Sequence, residues 1–194
     1  MSFGFEEPIA VIQTAIRRAS YSSTPPLFFA ATRNDGANKG VAWPARAGEV
    51  IGISSTDGDG RSSSFNPIDD KSYTIFYALG QAVEVACPPH FCKPKNKTRV
   101  SGTSFANPIA VGLAANLLGY VRLAAGDRKS VEGCAATLNR LRSKDGMKAV
   151  LKHRMSIEDN CGRAILLPWE FLKRGRPGLN CILDEVQETL KRSG

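Results

Sequence analysis

The residues whose types could do chemistry cluster in Ser101-Gly102-Thr103-Ser104, which leads into the apolar stretch from Phe105 to Leu118. Hydroxyls at the mouth of a helix read in two ways. Ser and Thr cap helices, because their side-chain oxygens accept N–H groups that the first turn leaves unpaired. A hydroxyl there also lies at the positive end of the helix dipole, where negative charge on an oxygen is stabilised. A serine used in the second way is a nucleophile for acyl transfer. It is weak by itself and needs a base and a stabilised oxyanion.

The elements that must position this cluster follow from the pattern around it. Residues 7–22, with apolar Ile9, Ile12, Ile16 and Ala19 and with Pro8 near the start, predict an amphipathic helix. Leu27 to Ala31 is a continuous apolar run, the pattern of a strand covered on both faces. Glu49 to Ser55 predicts a second strand, and Gln81 to Pro89 alternates like a third. Residues 104–123 predict one long helix, apolar on nearly all faces, and such a helix is central and buried. Pro108 lies near its start, where it removes at most one hydrogen bond. After Gly126 the chain turns polar, with amphipathic helices expected over 130–153 and 181–192 and a loop-like stretch over 165–178. The order of strands and helices implies an α/β layered sheet, with residues 1–125 as its main body and 126–194 as a helical extension.

Composition narrows the classes. The chain has 194 residues, 42% of them apolar, enough for one domain with a core. No apolar run is expected to be long enough to cross a bilayer, and the start, Met-Ser-Phe-Gly-Phe-Glu-Glu, lacks the pattern of a secretion signal. Five cysteines, odd in number and scattered, favour reduced thiols and an intracellular setting. The charge is uneven: residues 1–120 carry 11 Lys and Arg against 9 Asp and Glu, and residues 121–194 carry 15 against 9. A solvated helical surface explains that basic excess. An anionic partner is the competing reading, although no nucleic-acid motif accompanies it.

The residues also carry a resemblance. Gly102-Thr103-Ser104-Phe105-Ala106-Asn107-Pro108 resembles the G-T-S-x-A-x-P signature around the nucleophile of the subtilisin-like serine peptidases, the subtilases. Met1-Ser2-Phe3-Gly4 resembles their M-S-L-G strand, which lines the substrate cleft. Pro26 to Gly36 resembles their apolar strand followed by A-A-G-N-x-G, and Val41 to Asp57 resembles the next stretch. The four blocks stand in the family's order and cover about residues 1–125. Asp145 to Ser156 and Ile165 to Phe171 are similar, less specifically, to fungal intracellular members.

The resemblance implies a three-layer subtilisin-like α/β fold with a mainly parallel sheet, incomplete on its N-terminal side. It implies a serine endopeptidase acting on peptides through an acyl-enzyme on Ser104, with Asn34 as an oxyanion donor and Ser2, Phe3 and Gly4 as a substrate-binding edge. Gly4 would leave room for the substrate backbone. No cofactor, metal, nucleic acid or membrane is implied. The family's Asp and His precede the M-S-x-G block, so the chain is expected to be inactive alone, or to serve as a non-catalytic peptide-binding module. His90 and His153, the histidines present, lie outside the family's His motif. Where the family has small residues before the Asn, this chain has Thr32-Arg33. A long cation there would fill the specificity pocket, select acidic side chains, or displace the amide.

Other candidates have plainer readings. Cys87, His90 and Cys92 lack a fourth ligand and regular spacing for a metal. Asp57 and Asp59 look like the start of a calcium loop, but Ile68 stands where its last carboxylate belongs, so a polar turn is expected. Asn96-Lys97-Thr98 is a glycosylation sequon, expected to be idle in an intracellular chain.

Overall fold

A computed structural model describes residues 1–86, 99–127, 131–173 and 179–193. Its centre is a five-stranded sheet in the order β1 (Phe28–Ala31), β2 (Val50–Thr56), β3 (Ile75–Leu79), β7 (Ala164–Leu166), β6 (Ser156–Glu158). The pairs β1–β2, β2–β3 and β3–β7 are parallel, and only β6 runs antiparallel. The sheet is thus mainly parallel, as expected. A second, two-stranded ribbon joins β4 (Val83–Glu84) to β5 (Arg99–Val100). The strand expected over 81–89 is therefore two residues long in its described part.

Parallel strands need cover on both faces, and both faces have it. Successive side chains of a strand point to opposite sides, so neighbours in sequence feed different cores. Phe29, Ile51, Ile53 and Phe76 enter the larger one. Ala30 and Val50 enter the smaller one, with Trp43 and Ile16 of helix α1 (Ala10–Ser20). The larger core lies against α2 (Thr103–Asp127), and it continues through Leu141, Met147, Val150, Leu183 and Val186. These come from α3 (Val131–Leu141), α4 (Lys144–Arg154) and α6 (Leu179–Arg192). Phe171 of the short α5 (Pro168–Lys173) joins them. The C-terminal segment thus shares the core of the main body and contributes β7 to its sheet.

Three local expectations change. The single helix expected over 130–153 is two helices, because Ser143 caps a new start: its hydroxyl accepts the Gly146 N–H at 3.1 Å. The loop-like stretch after 164 holds β7 and α5. The long helix α2 is not buried all round. Ala106, Ala110, Ala114, Leu117 and Val121 face the core, but Val111, Tyr120 and Leu123 are exposed, Leu123 by 64%. By length and composition alone, Thr103–Leu123 would also suffice to cross a membrane. No Asp, Glu, Lys or Arg interrupts it before Arg122, so a few polar residues do not lower its mean hydropathy enough. That corrects the expectation that no run was long enough.

The open side of α2 borders a groove of about 770 Å³ lined by Pro25, Pro26, Phe28, Val111, Ala115 and Leu118, among others. The free edge of β1 lies beside it. Met1 covers part of that edge: Met1 N–H donates to the Phe29 carbonyl at 2.5 Å, and the Ala31 N–H donates to the Met1 carbonyl at 3.0 Å.

Candidate active site

Ser104 is the second residue of α2, and three separate segments meet around it. The first is the turn before the helix. Gly102 there has φ +154°, a setting that side chains rarely adopt. A Cβ at Gly102 would also lie 3.3 Å from Asn34 Nδ2. Glycine is thus what lets the Asn34 amide approach. Gly80 supports the turn from below: its carbonyl accepts the Gly102 N–H at 2.8 Å. A Cβ on Gly80 would come within 2.9 Å of Ser55 Oγ, Ala106 Cβ and the Gly102 carbonyl.

The second segment is the loop after β1, which carries Asn34. Its Oδ1 accepts the Thr103 N–H at 2.8 Å. A backbone N–H only donates, so the atom facing it is the oxygen, and this fixes the amide. Nδ2 is left as a donor on the other side. Along the first turn, the Phe105 and Ala106 N–H groups both return to the Gly102 carbonyl, and Thr103's goes to Asn34. Ser104's own N–H is left over, among the described residues, at the positive end of the helix.

The third segment is residues 1–7. Ser2, Phe3 and Gly4 are exposed. The Ser104 hydroxyl donates to the Ser2 carbonyl at 3.4 Å, and the Ser2 hydroxyl donates to the Ser104 carbonyl at 3.4 Å. Phe5 anchors the segment by exchanging backbone bonds with Trp43 at 2.8 and 3.0 Å. The Gly4 position is tight on the protein's own side: a Cβ there would lie 2.7 Å from Ala42 Cβ. Its lack of a side chain serves packing against Ala42, a tertiary reason that no local pattern carries. Asn107, one turn along α2, sends Nδ2 to the Met1 carbonyl at 3.4 Å. Its Oδ1 is buried without a partner among the described residues.

Arg33 does not displace the Asn34 amide. It turns away to Glu6 at 3.0 Å and Asp35 at 3.1 Å, and its side chain is 11% exposed. Glu6 also takes Lys39 at 2.8 Å. Hydrogen bonds from Lys39 and then Arg33 hold the Glu6 carboxyl below its ordinary pKa.

The other candidates lie elsewhere. His153 is on α4, lining a cavity with Lys148, Lys152, Arg154 and Arg192. Several of these cations are already paired: Arg154 with Glu185 and Glu188, Lys152 with Glu158, and Arg192 with Glu188. Asp57 Oδ1 is spent on the N–H groups of Asp59 and Arg61, a closed polar turn. Among the described residues, no group of three His, Cys, Asp or Glu could hold a metal ion. Cys87, His90, Cys92 and the Asn96 sequon lie outside the described residues.

No protein-family profile matches the sequence, and no curated protein does either. Solved structures do match. The prenylagaramide maturation protease PagA aligns with TM-score 0.59 and 23% identity over 97% of this chain and 58% of its own. A mutant of the protease domain of PatA aligns with TM-score 0.63 and 22% identity, over 89% of this chain and 57% of its own. The PatG macrocyclase in complex with peptide aligns with TM-score 0.60 and 19% identity, over 89% and 49%. The chain spans about half the length of these proteins. At such identities the likeness establishes architecture alone: the chain has part of a subtilisin-like α/β fold.

Proposed function

We propose that the chain supplies the nucleophile and oxyanion side of a serine endopeptidase. One observation carries this reading: the exposed edge Ser2–Gly4, the oriented Asn34 amide and the Ser104 hydroxyl converge from three segments on the start of one helix. A peptide would lie along the edge by strand addition. Ser104 Oγ would attack its carbonyl carbon, with Asn34 Nδ2 and the Ser104 N–H receiving the oxyanion. The amine would leave with the proton, and water would then release the acyl group from Ser104. The proton of Ser104 needs a base, and Oγ here bonds to the Ser2 carbonyl instead. The working enzyme therefore needs an imidazole and its carboxylate partner delivered to Oγ. That PagA and PatA carry the word protease in their names supports the reading. A kinship with fungal intracellular members belongs to the same proposal. It rests on the resemblance of Asp145–Ser156 and Ile165–Phe171 alone.

The position of the Ser104 hydroxyl favours a second reading, a module that binds peptides without cleaving them. Fluorophosphonate labelling of the native protein separates the two. Labelling that disappears in Ser104→Ala supports the peptidase. Peptide binding with no labelling and no turnover leaves the binding module.

A further inference from the structure

Arg33 is a charged side chain that is largely buried beside an exposed candidate site. Its guanidinium grips Glu6 at two points, Nη2 to Oε1 at 3.0 Å and Nη1 to Oε2 at 3.3 Å. Its Nε reaches Asp35 at 3.1 Å. Such a fork fixes direction as well as distance, which a lysine would not do. The two carboxylates have different places in the fold. Asp35 follows Asn34 directly, whereas Glu6 belongs to the segment that carries the Ser2–Gly4 edge. Glu6 is itself held from the far side by Lys39, and its carbonyl takes the Arg46 guanidinium.

A second observation is independent of these pairs. The Arg33 backbone has φ +153°, one of two positive values among the described non-glycine residues. A side-chain-bearing residue persists there only when its surroundings over-determine it. The surroundings here are the Glu6 and Asp35 carboxylates and the β1 strand ending at Ala31.

We infer that Arg33 is a positioning residue: by holding Glu6 and Asp35 together it keeps the strained Arg33–Asn34 backbone in place and ties the Asn34 amide to the Ser2–Gly4 edge. A peptide seated on the edge and the donor awaiting its oxyanion are then set by one ion-pair cluster. The inference rests on the reading of Asn34 and Ser104 given above.

The test uses the 194-residue chain and two ligands of one sequence, a tripeptide amide and the matching tripeptide boronic acid. The amide reports binding at the edge alone. In the boronic acid, the Ser104 oxygen adds to trigonal boron and its proton passes to water, which places a boron-bound oxygen where the oxyanion would sit. Wild-type protein is expected to bind the boronic acid about tenfold more tightly than the amide, or better. Glu6→Gln, an exposed change that leaves the fold intact, should cut that preference about fivefold or more and leave amide affinity within about twofold. Arg33→Gln should do the same, Arg33→Lys should recover only part, and the double variant should be no worse than either single one. A merely structural role would instead lower both affinities and the urea midpoint together, and that result overturns the inference. Unchanged preference in both variants also overturns it, with the Asn34 reading intact. A wild-type protein that shows no preference for the boronic acid removes the Asn34 and Ser104 reading, and the inference with it.

Discussion

Asn34 Oδ1 and the Thr103 backbone N–H are joined at 2.8 Å across 69 residues of sequence. This bond does two jobs at once. It caps the first turn of α2 from outside the helix, and it decides which end of the Asn34 amide remains a donor.

Asn34→Ala should therefore have two separable effects. Loss of the cap should cost about 1 kcal/mol of stability, read from a urea midpoint. In a catalytically complete form, loss of the donor should lower kcat by about 10²–10³-fold with little change in KM. Asn34→Asp keeps the cap and loses the donor, so its stability should stay near wild type while the rate falls.

Gly80→Ala tests the support beneath Ser104. The added methyl would press on Ser55 Oγ, Ala106 Cβ and the Gly102 carbonyl, all within 2.9 Å. Two of these neighbours belong to the turn and helix of the candidate site, so relief by movement displaces Ser104. Overpacking of this kind costs about 1–3 kcal/mol. A denaturant midpoint unchanged from wild type would show that the turn is softer than the close packing implies.

Ser143→Ala tests the break between α3 and α4. The hydroxyl accepts the Gly146 N–H and donates to the Arg140 carbonyl at 2.7 Å. Without it, α4 should lose about 0.5–2 kcal/mol, and its first turn should exchange amide hydrogens faster. Ser143→Asp should recover most of the loss.

The hairpin β6–β7 should give the fold an acid-sensitive component. Burial pushes the Asp159 carboxyl up. The N–H groups of Arg163 and Cys161 and the Arg163 guanidinium outweigh it, so its pKa ends below the ordinary 3.8. A carboxylate with a depressed folded pKa contributes stability that is present above the unfolded pKa and is lost as pH falls through the folded one. Urea midpoints should thus decline as pH drops below about 4. Asp159→Asn should flatten that decline, and an equally steep acid limb in the variant would assign it to other carboxylates.

Much of the architecture is legible in the sequence because it is local. The run Leu27–Ala31 and the run Glu49–Ser55 are strands for the reasons their patterns give. Strand β3 is not legible although Thr-Ile-Phe-Tyr-Ala-Leu carries a strand composition, because a short apolar run does not declare its type by periodicity. Strand β7 is three residues long and is a strand only because β3 and β6 lie on either side of it. The exposure of Tyr120 and Leu123 on α2 was illegible for a related reason, since burial depends on what packs against a segment. At the candidate site, Ser104 and Asn34 are visible through their motifs. The Arg33–Glu6 pair is not, because it joins residues 27 apart that share no pattern.

The exposed apolar residues of α2 have a consequence for the chain as a solute. The groove at Pro25, Pro26, Phe28 and Val111 and, farther along the helix, the exposed Tyr120 and Leu123 present separate oily patches to water. Such patches make molecules adhesive toward one another, and adhesion grows with concentration and with temperature near ambient. The 194-residue chain by itself should therefore scatter light increasingly as it is concentrated. Mild detergent or Leu123→Lys should clear the solution without shifting its unfolding midpoint appreciably.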